Sequence, residues 1–265
     1  MSNPLLSKVK LPGRIFQLPS KGLFYEPGVL ADHITDGEIE VQALSAIAEM
    51  KLKSPDMLFT GRAVREVVLE CIPDILIPEL LISKDVDAIF CFLKIVTYGS
   101  IMNIKSTHSC NERKVHTYNV NIEDIILNPN NEALDKEFDI FKEVLSNEQV
   151  IFYKPVRFLD TINIAHARQN IENLIKKGIT DQNLMEDTMI KDMLCIIKSV
   201  DGHNDIKMLE EWIRALPRKL FDEVIDRSQN SIEWGFNLNV NLTCKDCNAV
   251  FKHSLELDPV GFFSG

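Results

Sequence analysis

The sequence predicts an α+β chain: a mainly helical body carrying two β-hairpins, around residues 101–122 and 235–258, that pack together. Three observations predict it. Apolar residues recur at helical spacing between 54 and 98 and again between 160 and 228, two short stretches switch to strict alternation, and those two stretches share one plan. With 265 residues, 45% of them hydrophobic, the chain can build one elaborate domain or two modest ones.

Residues 1–37 read as an extended arm. Within LPGRIFQLPSKGLFYEPG (11–28), three prolines and three glycines interrupt the apolar residues and favour turns over a regular element. Ile15, Phe16, Leu18, Phe24 and Tyr25 then need cover from the body or from another protein, because an exposed apolar strip of that length is sticky. Phe16, Leu18, Phe24 and Tyr25 are therefore candidate partner-binding residues. Lys8, Lys10, Arg14 and Lys21 fall within residues 1–22, which hold no Asp or Glu, and this suits a docking tail.

Residues 38–122 hold a strand, helices and the first hairpin. EIEVQAL (38–44) alternates as a half-buried strand does. Ser54-Pro55 suits a helix start, and Thr60 is placed to cap the next helix, whose Ala63, Val64, Val67, Val68, Cys71 and Ile72 share one face. Ser83 opens a longer helix that stops at Gly99, with Val86, Ile89, Phe90, Leu93 and Val96 as its buried stripe. Asp85 and Asp87 sit in its first turn and read as solvated charges near the positive end of the dipole.

Residues 123–149, polar and acidic with the turn signal LNPNN, read as a linker region. The helical region 150–230 opens with a short strand around 150–158. Helices follow at about 160–177, 181–200 and 204–228, the last broken at Pro217. A Met-rich stripe (Leu184, Met185, Met189, Met193, Ile196, Ile197) marks a core face. Residues 231–265 supply the second hairpin and an apolar tail, whose Phe262 and Phe263 are further candidate partner-binding residues.

The most specific signal is the internal repeat. In the first copy Met102, Ile104, Ser106 and His108 lead up to Cys110, and His116, Tyr118, Val120 and Ile122 lead away. In the second, Phe236, Leu238, Val240 and Leu242 lead to Cys244, and Phe251, His253, Leu255 and Leu257 lead away from Cys247. Two hairpins, each offering Cys-x-x-Cys, gather four thiolates in the zinc-ribbon arrangement. Here one corner differs, since aligning Cys244 on Cys110 puts Cys247 on Arg113. Two readings stand: zinc held by Cys110, Cys244, Cys247 and either His108 or His116, or a hairpin pair that keeps its apolar contacts without metal. Redox exchange lacks a thioredoxin-like strand-helix context, because β pattern flanks the turn on both sides.

Composition excludes several classes. The 29 basic and 39 acidic residues give a net charge of −10, which opposes nucleic-acid binding. The start of the chain shows no leader-type apolar region, and no run of about 18 uncharged apolar residues follows, so the expectation is a cytosolic protein without membrane contact. Cys71, Cys91 and Cys195 fall in apolar helical patterns as small core residues. No phosphate loop, nucleophile elbow or zinc-protease helix is found, which argues against an enzyme and a small-molecule substrate.

Taken in order, LPSKGLFYEPG, DGEIEVQALS, SPDMLFTGRAVREVVLECI, LISKDVDAIFCFLKIVTYGS and IRALPRKLFDEVIDRSQNSIEWGFNLNVNLTCKDC, closing on LELDPVGFF, resemble the T4-type bacteriophage baseplate protein family, the baseplate hub assembly proteins of contractile-tailed phages. The resemblance covers most of the chain and is weakest over 123–160. It implies a phage-encoded factor, chaperone-like or scaffolding, that binds hub and other tail proteins in the host cytoplasm. A permanent structural component of the baseplate is the alternative, and a zinc-ribbon nucleic-acid-binding protein a more distant one. Homo-oligomers are compatible with either leading role. Family members often carry Cys-x-x-Cys in both hairpins, and this chain departs from that at Arg113.

Overall fold

In the computed structural model, which describes residues 12–126, 134, 141–230, 234–255 and 257, the chain forms two units that do not follow its linear segments. Among those residues, the first unit takes the chain up to Pro78, resumes at Lys84 and resumes again at Gly235. The second takes Glu79–Ser83 and the later chain up to Trp234.

The first unit begins where an arm was expected. β1 (Arg14–Gln17) pairs antiparallel with β2 (Glu38–Val41), placing Phe16 opposite Ile39. Phe16 stacks on Phe92 at 4.5 Å between ring centroids, and Leu18 is fully buried. Both residues thus belong to the chain's own core, which corrects their assignment as partner-binding residues; Phe24 and Tyr25 are half-buried. Lys8 and Lys10 lie outside the described residues.

The loop between these strands is held by a buried carboxylate. Asp85 is fully buried and accepts from the Ser20 amide (3.0 Å), the Ser20 hydroxyl (2.5 Å) and the Tyr25 hydroxyl (2.6 Å). It is not the solvated first-turn charge that its position suggested, because three donors from a loop some sixty residues upstream converge on it. Burial nevertheless dominates, and it pushes the Asp85 pKa up to about 6. Gly37 (φ +66°) closes the same loop; a Cβ there would meet the Lys21 carbonyl carbon at 2.8 Å.

Helices α1 (Ala46–Leu52), α2 (Pro55–Phe59) and α3 (Arg62–Cys71) follow. Ser45 caps α1 by accepting from the Ala48 amide, and Pro55 opens α2. Thr60 does not cap α3: its hydroxyl turns back to the carbonyls of Asp56 and Met57, and Gly61 (φ +71°) makes the entry. The expected face of α3 is the buried one, from Ala63 to Cys71. After a short 3₁₀ turn at Pro78–Leu80, α4 (Ser83–Tyr98) is buried nearly all round rather than along one stripe. Its Ala88, Cys91, Phe92 and Ile95 fill the faces that a single stripe leaves to solvent, and Val96 is only half-buried. β3 (Ile101–His108), β4 (Asn111–Asn121) and α5 (Ile122–Ile126) complete this run.

The second unit is built on a three-stranded antiparallel sheet of β5 (Lys142–Val144), β6 (Val150–Tyr153) and β7 (Ile197–Val200), with β6 central. Residues 123–149 are thus more than a linker, since they supply α5 and an edge strand. The long helices are α6 (Phe158–Lys176) and α7 (Gln182–Ile196). α7 ends four residues earlier than the periodicity suggested, because Ile197 and Val200 are buried in β7 and Asp201 then accepts from the Val150 amide at 2.8 Å. Of the Met stripe, Met193 is buried while Met185 and Met189 are exposed. α8 (Ile206–Ala215) and α9 (Arg218–Asn230) flank Pro217, as expected. The Tyr153 hydroxyl donates to the Val224 carbonyl at 2.8 Å, fixing α9 to the sheet. Glu79–Ser83 joins this unit through the Phe158 amide, which donates to the Leu81 carbonyl. The chain then re-enters the first unit as β8 (Asn239–Thr243) and β9 (Val250–Ser254). Among the described residues no helix is long and apolar enough to cross a membrane.

The Asp85 anchor gives two expectations. Tyr25→Phe removes a charge-assisted hydrogen bond and costs about 1.5 kcal/mol in chemical denaturation at neutral pH. Because folding raises the Asp85 pKa from 3.8 to about 6, the folded chain retains a proton that the unfolded chain releases between those values. Stability therefore falls as pH rises through that window. Denaturation of wild type and Asp85→Asn in parallel will show the wild type gaining on the variant as pH is lowered from neutral toward about 4.

Candidate metal centre

Each hairpin is amphipathic in the simplest way: one face of a two-stranded ribbon is apolar, and a ribbon alone cannot cover it. Here each covers the other. Ile104, Tyr118 and Val120 from β3 and β4 join Leu242 and Leu255 in one buried cluster, with Met102, Ile125, Leu238, Val240 and Phe251 packed around it. Polar ties cross the same seam. Lys114 and His116 reach Asp246 at 2.5 and 2.7 Å, the Lys245 ammonium donates to the Thr117 carbonyl at 2.7 Å, and Ser106 and His253 lie at 3.1 Å.

The two turns meet at the end of this seam. Past Thr243 the chain makes a tight knuckle: the Cys244 amide donates to the Ala249 carbonyl and the Asn248 amide to the Cys244 carbonyl. Asn248 adopts φ +60°, a left-handed conformation that its short polar side chain tolerates. The Asp246 and Cys247 amides then point at the Cys244 sulfur. On the other side, β3 and β4 pair in register from Ile101/Asn121 to Ser106/His116, and the register shifts before His108/Asn111. Ser109 and Cys110 form the turn.

These turns bring together His108, Cys110, Cys244 and Cys247, whose donor atoms all lie within 4.8 Å of one another. Cys110 Sγ is 3.6 Å from Cys244 Sγ, and Cys247 Sγ is 3.5 Å from His108 Nδ1. A tetrahedral zinc ion with Zn–S near 2.3 Å and Zn–N near 2.0 Å requires S···S edges of about 3.8 Å and S···N edges of about 3.5 Å. The Cys110–Cys244 and Cys247–His108 separations match edges of that tetrahedron, and 3.6 Å is far from a disulfide bond; all six cysteines are free. His108, not His116, completes the set, since His116 is engaged by Asp246. The Arg113 side chain lies outside the described residues.

Electrostatics point the same way. Amide donors hold the Cys244 thiol below its usual pKa, while hydrogen bonding to Cys247, burial and the neighbouring Cys244 push Cys110 up to about 12. A divalent cation held there would supply positive charge to neighbouring sulfurs and favour their thiolate form. Four protein donors around an ion would leave it no open coordination position, the arrangement of structural zinc sites. Sequence reasoning found the three cysteines and left the histidine undecided, because His108 and His116 both fall on the inward face of the alternating pattern. In the fold His108 lies beside Cys247 at the turn, while His116 pairs with Asp246.

Phe262 and Phe263, the remaining candidate partner-binding residues, lie outside the described residues. A family model described as T4 bacteriophage base plate protein matches residues 39–263, a span that includes both hairpins. Comparisons with curated proteins and with solved structures give no match.

The shared apolar cluster is testable apart from any metal. Leu242→Ala leaves a cavity between the hairpins and will destabilise the chain by about 2–4 kcal/mol in chemical denaturation. Asn241→Ala on the exposed face of the same strand will change stability little.

Proposed function

Since this chain belongs to the T4 bacteriophage base plate protein family, we propose that it is a non-enzymatic assembly factor, chaperone-like or scaffolding, that binds hub subunits while the baseplate is built. The observation that carries this reading is the family match, which runs through both units from residue 39 to residue 263. The closed, thiolate-rich cluster supports it, because such a site stabilises a shape and leaves no coordination position for substrate. In this reading the ion is zinc, the host cytoplasm is the place of action, and other phage tail proteins are the partners.

With Phe16 and Leu18 used internally, the binding handles in this reading are Phe24, in the Asp85-anchored loop, and the tail residues Phe262 and Phe263. Truncation after residue 257 removes both tail phenylalanines. It is expected to abolish co-purification with hub proteins while leaving the thermal unfolding midpoint unchanged; undiminished co-purification would reject the tail's role.

Quantitative mass spectrometry of purified virions separates the transient factor from a permanent component. Absence from the particle is expected, and stoichiometric presence would replace the assembly reading with the structural one. The metal has its own measurement. Elemental analysis of protein purified without added metal is expected to give about one zinc per chain, and Cys244→Ser to give almost none.

A further inference from the structure

Between the two halves of the metal centre the chain leaves the first unit and builds the second. Cys110 and Cys244 are 134 positions apart, yet their sulfurs lie 3.6 Å from each other. What holds the returning hairpin without metal is slight. It contributes two buried residues to the shared cluster, Leu242 and Leu255, with Leu238, Val240 and Phe251 only partly buried beside them; its polar ties to Lys114, His116 and Thr117 are exposed, and the one to Ser106 is half-buried. Exposed ion pairs stabilise little, and a two-stranded ribbon is marginal alone. The entry to this hairpin is anchored separately: Phe236 packs edge-on against Phe92 at 6.0 Å, and Gly235 lies against Pro19. The weakly held segment therefore starts after Phe236 and coincides with the two strands that carry the knuckle.

Resting on the zinc reading above, we propose that the ion is a clasp: bonding from His108 Nδ1 and Cys110 on one hairpin to Cys244 and Cys247 on the other keeps β8–β9 docked on β3–β4, and loss of zinc frees this hairpin while the rest of both units stays folded. Half of the donor set comes from each hairpin, so the bonds to the metal are the seam's strongest cross-links and all of them fail together when the metal leaves. α4, β1 and β2 have their own core around Phe92, Leu18 and Ile39 and do not need the ion. The helices of the second unit contribute no donor to it.

The test uses the full chain with its thiols kept reduced. Zinc content is measured, then hydrogen exchange is followed by mass spectrometry before and after stripping with a strong chelator, and again after zinc is restored. Peptides from 239–255 are expected to exchange at least about tenfold faster without zinc and to recover with it, while peptides from α4 and α6–α9 hold their rates. Zinc at one equivalent with unchanged exchange at 239–255 overturns the clasp and leaves the zinc site standing. Global loss of protection overturns it too. Protein that contains no zinc and takes up none rejects the underlying zinc reading.

His108→Cys guards against variants that simply misfold. It is expected to retain zinc and slow exchange, and to move the visible bands of the cobalt-loaded protein toward an all-sulfur set. Unchanged cobalt bands would remove His108 from the clasp.

Discussion

A two-stranded ribbon has one apolar face and nothing of its own to bury it against, and the first unit is organised around that deficit. The chain makes two such ribbons, each with a tight turn, and buries Ile104, Tyr118 and Val120 of one against Leu242 and Leu255 of the other. His108, Cys110, Cys244 and Cys247 meet only because these faces do. His108 and Cys110 approach the knuckle from a turn whose position is set by the register of β3 on β4, and that register is fixed by which residues point into the seam. Packing thus comes before any coordination in the logic of the site.

A second polar device performs a similar task at the other end of the unit. Asp85, in the first turn of α4, ties down a loop that Pro and Gly would otherwise leave without regular structure, using donors from Ser20 and Tyr25. The anchored loop lets β1 reach β2 and brings Phe16 onto Phe92. Both devices answer one problem. Short strands and loops bury little apolar area, so a few directed interactions have to fix their positions.

Much of this was legible in the sequence where one pattern acts alone. The buried face of α3 follows from its spacing, because an amphipathic helix on a surface reports its own orientation. The repeat announced two hairpins that pack together, and alternation named the residues in their seam. Legibility failed where distant segments decide. Asp85 looks solvated until Ser20 and Tyr25 are placed beside it. The stretch around Phe16 looks like an arm until β2 pairs with it, and α4 shows one stripe on paper although neighbours cover nearly all its faces. β7 looks like the end of α7 because Ile197 and Val200 fit either period, and only the open edge of β6 chooses between them. His108 and His116 share a face, so no local rule could choose between them.

The separation of the two turns also gives the molecule a history. Cys110 leaves the ribosome 134 positions before Cys244 does, a delay of about 7–27 s at ordinary rates of bacterial synthesis. For that interval the second unit can fold, but the first cannot close, and its half-set of donors waits without partners. A unit begun before the second is finished after it.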